Sequence, residues 1–336
     1  MKLFKTIFLN VAILLIILFL LDVGLVFLYG HKQLSREEIN TEGYYNPDDD
    51  LLGYSPKKNV KSHTELIVDG EVIYSVDYHF DEFGRRITPV KSKELRNKFA
   101  VFLGGSNTFG EGVRGDQTIA AYFSEKAKSY NPYNYGFRGY GTNQVLSLIE
   151  SDRLKNEVQE DSGIGVYHYL SFHRERLLGT SAYFSWSNGH SPSYVLKEEG
   201  IERTGLFNKS RYFYYYSLRY LNYLRFISTL NINVPDIYSD YSNKLMCEAL
   251  KKSKKEFLSH FPTSQFVILV SMNTDRVDPI IEGCLEPNKI SYINLRKAWE
   301  DSMGSMEIKR GIEAHYNQRV YSFLADKLVE WVEDNH

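Results

Sequence analysis

From about Lys98 the chain alternates two kinds of segment. The short apolar runs KFAVFLG, YNYG, IGVYHYLSF, FVILVSM and ISYINL read as strands. Amphipathic stretches near residues 117–130, 142–156, 211–228 and 243–260 read as the helices between them. Continuous apolar strands separated by helices predict a mainly parallel sheet with both faces covered. Upstream, TELIVDGEVIYSVDYHF alternates β-formers around Asp69-Gly70 and predicts a hairpin. The stretch before it, EEINTEGYYNPDDDLLGYSPKKN, is polar and turn-rich and reads as a linker. At the amino end, IFLNVAILLIILFLLDVGLVFLYG is apolar apart from Asn10 and Asp22. At about 1.5 Å per residue it reaches across a hydrocarbon core of roughly 30 Å. No short apolar region with a small-x-small cleavage site is evident, so the segment predicts an uncleaved transmembrane anchor. The expected division is therefore an anchor over 1–30, a linker and small strand-rich lead-in over 31–95, and an α/β domain over 96–336.

Composition narrows this picture. A chain of 336 residues with 43% hydrophobic content can bury one substantial core. Forty Lys and Arg stand against 42 Asp and Glu, for a formal charge of -2, and no basic run offers a phosphate-binding stripe. Nucleic acid is excluded as an expected partner. Lys2 and Lys5 before the apolar segment are balanced by Lys32 and Arg36 after it. The expectation is an amino terminus inside and a domain outside the cytoplasm, a single-pass protein of the cell inner membrane facing the periplasm. Cys247 and Cys284 belong to no CxxC or Cys/His cluster, so no zinc site is expected, and the sequence leaves open whether they pair.

The candidate chemistry sits in VFLGGSNTFGEGV, where the first strand runs into a glycine-crowded turn with Ser106 three residues past Leu103. In open parallel sheets ligands bind beyond the carboxyl ends of the strands, and Ser106 falls there. Gly105 and Gly110 have P-loop spacing, but Glu111 stands where the phosphate-binding lysine is required. Gly110, Gly112 and Gly115 match GxGxxG too far from the strand, with Glu111 against the pyrophosphate. Thr108 replaces the second glycine of the GxSxG elbow. A serine in a tight turn needs a base to become a nucleophile. GIEAHYNQRVYSFLADKLVEWV offers one, placing Glu313 and His315 just before a helix whose Val320, Phe323, Leu324, Leu328 and Trp331 form an inward stripe. A carboxylate two residues before an imidazole can orient it and stabilise its protonated form.

These residues resemble the SGNH/GDSL hydrolases. FLGGSNTFGEG is similar to the family's first block, with Ser106 at the nucleophile; NYGFRGYGTNQ to its second, with the oxyanion-hole glycine at Gly139; EAHYN to its last, with His315 as the base. LLGYSPKKN and VIYSVDYHFDEFGRRITP resemble the lead-in of a membrane-anchored, poorly characterised branch. The resemblance, over residues 96–336, implies a flavodoxin-like three-layer α/β/α sandwich. Three departures stand out. Gly105 replaces the aspartate before the serine, Glu313 replaces the aspartate near the histidine, and HRER stands where the asparagine of GxND would supply an oxyanion donor. His173 and Arg174 are the candidates for that missing donor.

What the resemblance implies is acyl transfer through a serine ester: Ser106 attacks, His315 moves the proton, and the amides of Ser106 and Gly139 hold the oxyanion, with no metal or organic cofactor. The expected substrate is an acyl ester or acylated glycan of the cell envelope. Hydrolysis, O-acyl transfer to or from a glycan, and an inert binding module remain open. Each residue also has a structural alternative: Ser106 a turn former or cap, Gly139 a backbone bend, Glu313 a solvated acid, His315 a packing residue at a helix entry. Asn107 and Asn143 read as loop-stabilising. The tyrosines of RYFYYYSLRYLNYLRF read as a packed helix face, with sugar stacking or membrane contact as the alternative.

Overall fold

The computed structural model describes residues 2–29, 35–91, 96–222, 227, 230, 232–271, 279–303 and 315–335. The chain opens with α1 (Lys2–Tyr29), 28 residues long, whose described apolar side chains are mostly exposed. Taken over the described residues, which omit several of α1's side chains, no helix is long and apolar enough to cross a membrane.

The segment expected to be a linker is instead packed structure. Strand β1 (Arg36–Asn40) precedes an antiparallel pair, β2 (Tyr45–Asp49) and β3 (Gly53–Pro56). Tyr44 and Leu52 are buried within this polar stretch. Two large apolar side chains suffice to fold it onto a core when partners lie next to it, and a composition average does not register them. β4 (Lys61–Val68) and β5 (Glu71–His79) form the expected hairpin. Asp69 and Gly70 take φ of 48° and 84°, the positive-φ pair that a two-residue hairpin turn demands. β1 joins β4 at the free edge, giving a three-stranded antiparallel sheet in the order β1-β4-β5.

The main domain contains β6 (Lys98–Gly104), α2 (Ser106–Phe109), α3 (Ile119–Lys126), β7 (Tyr130–Asn134), α4 (Thr142–Glu150), α5 (Arg153–Glu157) and β8 (Gly163–Tyr169). There follow α6 (His173–Leu178), α7 (Ser181–Ser187), the hairpin β9 (Pro192–Lys197) and β10 (Gly200–Leu206), α8 (Phe207–Ser210) and α9 (Tyr212–Leu221). α10 (Asp240–His260), β11 (Gln265–Val270), β12 (Ser291–Asn294), α11 (Leu295–Met303) and α12 (Gln318–Asp334) complete the chain. β7-β6-β8-β11-β12 form one parallel sheet. In order of appearance this is 2-1-3-4-5, the flavodoxin-like arrangement, and the chain reverses direction across the sheet at β6.

Alternation along the strands divides the core. Phe99, Val101 and Leu103 of β6 face α4 and α10 through Val145, Leu146, Leu250 and Phe257. Ala100 and Phe102 face α3, α11 and α12 through Ile119, Phe123, Trp299, Leu324 and Leu328. The lead-in belongs to the first cluster, since Tyr44, Leu66, Tyr78 and Phe80 pack with Phe109 and Phe137. Cys247 on α10 and Cys284 are joined by a disulfide. The tyrosine-rich stretch forms α9, with Tyr215 buried and Tyr212, Phe213 and Tyr220 exposed, and residues 223–226 of the expected helix lie outside the described residues.

Candidate active site

β6 ends at Gly104 with φ of 148°, where a Cβ would stand 2.2 Å from Thr108 Oγ1. The strand can therefore turn sharply only as glycine, and α2 starts two residues later with Ser106 as its first residue. The first N–H groups of a helix have no intrahelical carbonyl, so the Ser106 amide points out of the helix start. Gly110 closes α2 at φ 83°.

His315 meets this turn from the other end of the chain. Its Nε2 lies 2.8 Å from Ser106 Oγ. Tyr316 holds it there: the Tyr316 N–H donates to Asn107 Oδ1 at 3.4 Å, its hydroxyl pairs with Ser271, and its ring stacks on His168. Asn317 caps α12 by accepting from the N–H groups of Arg319 and Val320. Glu313, the expected partner of His315, lies outside the described residues.

Gly139 lies on the loop after β7 at φ 78°, and a Cβ there would come 2.4 Å from Tyr54 Oη. Three contacts fix the loop beside the serine turn. The Phe137 N–H donates to the Gly104 carbonyl at 3.2 Å. Asn134 donates to the Thr108 carbonyl and accepts from the Gly136 N–H. The Tyr140 carbonyl lies 2.8 Å from where a Gly105 Cβ would stand. Arg176 Nη1 and His173 Nε2 approach the same position to 3.0 and 3.2 Å, so the site leaves little room for a side chain at 105.

The two candidates for the missing oxyanion donor part company. On a helix, neighbouring residues point about 100° apart. Arg174 is buried on the side of α10, where its Nε donates to Tyr169 Oη and its Nη1 to Asn243 Oδ1. It is not brought to the serine turn, and this expectation is corrected. His173 faces Gly105. Its Nδ1 is 2.9 Å from Tyr167 Oη and receives the Leu170 N–H at 3.5 Å. Nε2 is buried and has no partner among the described residues. Burial, reinforced by Arg176 and His168, pushes the His173 pKa well below that of an ordinary histidine and keeps the ring neutral. Asn143 donates to the Pro192 carbonyl, in keeping with a structural role.

Three residues at the site escaped the sequence. Arg176 shares a face of α6 with His173 by its i,i+3 spacing, which was the available signal. It donates to the Tyr140 carbonyl. Arg86 of the lead-in is buried and donates to the carbonyls of Phe109, Gly110 and Val113 at 2.6 to 2.7 Å, with its guanidinium over the rings of Tyr78 and Phe109. Glu111, read only as an obstacle to phosphate, has Oε2 3.3 Å from His315 Nε2 and Oε1 2.8 Å from Arg138 Nη2. Burial opposes the Arg138 charge, yet Glu111 and the hydrogen bond to Glu38 outweigh it and raise the Arg138 pKa.

Among the described residues no group of three His, Cys, Asp or Glu is placed to hold a metal ion. A cavity of about 850 Å³ lies between the lead-in and the β7–α4 loop, lined by Asp49, Phe83, Arg85 and Arg153 but by neither Ser106 nor His315. Its Arg153 and Asp49 pair with each other.

No protein-family model and no curated protein sequence matches the chain. It is similar to three solved structures among others. A lipase/acylhydrolase from Enterococcus faecalis is 12% identical, covers 71% of this chain and 96% of its own, and has a TM-score of 0.39. A member of the lipolytic G-D-S-L family from Veillonella parvula is 14% identical over 69% of this chain and 97% of its own, with a TM-score of 0.39. A catalytic mutant of an acetylxylan esterase from Geobacillus stearothermophilus is 10% identical over 70% and 94%, with a TM-score of 0.38. Likenesses at this level carry no weight for activity, which has to be argued from the site.

Proposed function

We propose that this protein is a serine acyl-ester hydrolase of the SGNH/GDSL type, anchored to a membrane by α1, with its domain on the extracytoplasmic side. The observation that carries the enzymatic reading is the 2.8 Å approach of His315 Nε2 to Ser106 Oγ at the carboxyl end of the central strand. Ser106 Oγ attacks the ester carbonyl while its proton passes to His315 Nε2. The oxyanion is held by the amides of Ser106 and Gly139. The C–O bond to the leaving alcohol then breaks, His315 returns the proton to that oxygen, and water repeats the sequence on the acyl-enzyme to release the acid.

The anchor reading is supported by the run of α1 itself, whose side chains Phe4, Phe8 and Phe19 are 66% to 75% exposed. Apolar side chains in that number favour lipid over water. The disulfide suits an oxidising, extracytoplasmic compartment. A second reading, O-acyl transfer to or from a glycan, is favoured by Trp186. Its indole is half exposed and stands 3.4 Å from the Cβ position of Gly139, where a sugar ring could stack.

The test is intact-mass labelling of the full chain in detergent with a small organophosphonate. The expected outcome is a single adduct, absent in Ser106→Ala and formed at least about 100-fold more slowly in His315→Ala. No adduct on a folded wild-type chain would overturn the reading and leave an inert binding module in its place.

A further inference from the structure

Glu111 follows the turn that closes α2 and is buried, with 2% exposure. No motif assigns it a role, yet it is turned toward His315. Its Oε2 lies 3.3 Å from Nε2, the same nitrogen that stands 2.8 Å from Ser106 Oγ. Its other oxygen receives Arg138 Nη2 at 2.8 Å and the Tyr74 hydroxyl at 3.3 Å. Arg138 is also held by Glu38 of β1 and by the Tyr44 hydroxyl at 2.7 Å. The groups that face Glu111 are thus His315, Arg138, Tyr74 and Tyr78, with Glu38, Tyr44 and Tyr45 around Arg138. One guanidinium is shared by two buried or half-buried carboxylates. Arg36 also acts on Glu38, and a protonated His315 would give Glu111 a second cation beside Arg138.

We infer that Glu111 is a positioning residue that stabilises the protonated form of His315 from the Nε2 side of the ring, an inference that rests on the Ser106–His315 reading. Before reaction, Nε2 accepts the serine hydroxyl and gains nothing from the carboxylate. After it takes the proton, the new N–H lies between Ser106 Oγ and Glu111 Oε2, and the carboxylate compensates the new charge. The interaction strengthens as the proton moves, so it lowers the barrier without tightening substrate binding. Arg138 immediately precedes Gly139, so the same ion pair also steadies the loop that carries the proposed oxyanion amide.

The test is the pH profile of Ser106 labelling by the organophosphonate in the full chain, for wild type, Glu111→Gln and Glu111→Asp, with thermal unfolding as the folding control. Glu111→Gln removes the charge that would compensate the imidazolium, so the acid limb of the profile moves down and the plateau rate falls about tenfold. Glu111→Asp, which keeps the charge but withdraws it by one methylene, shows a smaller shift in the same direction. A purely structural role lowers the plateau and leaves the limb in place, and an unmoved limb in whichever variant folds overturns the inference. If wild type labels on Ser106 and the limb does not move, the inference alone falls; if wild type does not label on Ser106, the hydrolase reading falls and takes the inference with it.

Discussion

The two residues of the proposed dyad rest on different supports. Ser106 sits in a turn fixed by buried hydrogen bonds: Arg86 takes three carbonyls just after it, Asn134 takes another, and Gly104 ties the neighbouring loop to the strand end. His315 is steadied by Tyr316 on Asn107 and Ser271 and sits at the entry to α12, whose own hold on the sheet is apolar through Val320, Leu324 and Leu328. Hydrogen bonds fix direction within a few tenths of an ångström, whereas an apolar face fixes a helix as a body. The difference teaches that the nucleophile should be sensitive to single polar contacts near it. The base should tolerate losses of packing far along its helix.

Arg86→Ala is the harshest test of that contrast. It removes a buried cation and leaves the carbonyls of Phe109 and Val113 without that donor, while Gly110 keeps the Val113 N–H, which costs about 3–5 kcal/mol. Denaturant unfolding reads the stability, and phosphonate labelling of the surviving folded fraction should be slowed as well, because Phe109, Gly110 and Val113 frame the serine turn. Leu328→Ala supplies the other arm. It opens a cavity between α12 and the sheet and costs about 2–4 kcal/mol, but it lies about three turns from His315. The labelling rate of its folded fraction should match wild type within about twofold, given that substitutions far from a site are usually felt only in stability. Equal slowing in the two variants would break the comparison.

What the sequence disclosed follows the same division. Apolar runs located β6, β8, β11 and β12 to within a few residues, and the Asp69-Gly70 turn announced its hairpin, because period and positive-φ residues are local properties. YNYG missed the start of β7 by three residues, and the β9–β10 hairpin and α6 went unread between stronger signals. Ser106, Gly139 and His315 were legible as parts of motifs. Glu111, Arg86 and Arg176 were not, since each acts through a contact that only the fold creates: Arg86 reaches across from the lead-in to the serine turn, and Glu38 meets Arg138 a hundred residues away. The polar stretch before the hairpin was misread as a linker for the same reason: its Tyr44 and Tyr54 look like decoration until the loop bearing Arg138 and Gly139 comes up against them.

The mildest test lies where the two modes of support meet. Asn317 is a polar residue at the head of the apolar helix, and its side chain accepts from the N–H groups of Arg319 and Val320 at 3.0 and 3.1 Å. Asn317→Ala removes this cap at a cost of about 1 kcal/mol, readable as a small shift of the denaturation midpoint. Because the cap lies two residues from His315, fraying of the first turn loosens Tyr316 and, with it, the approach of Nε2 to Ser106 Oγ. The expected slowing of labelling is about three- to tenfold, more than Leu328→Ala produces despite the smaller loss of stability. Asn317→Asp, which keeps an acceptor and adds charge to the helix start, should restore both stability and rate. If Asn317→Ala costs stability but leaves labelling untouched, the apolar face alone positions the base, and the cap belongs to folding only.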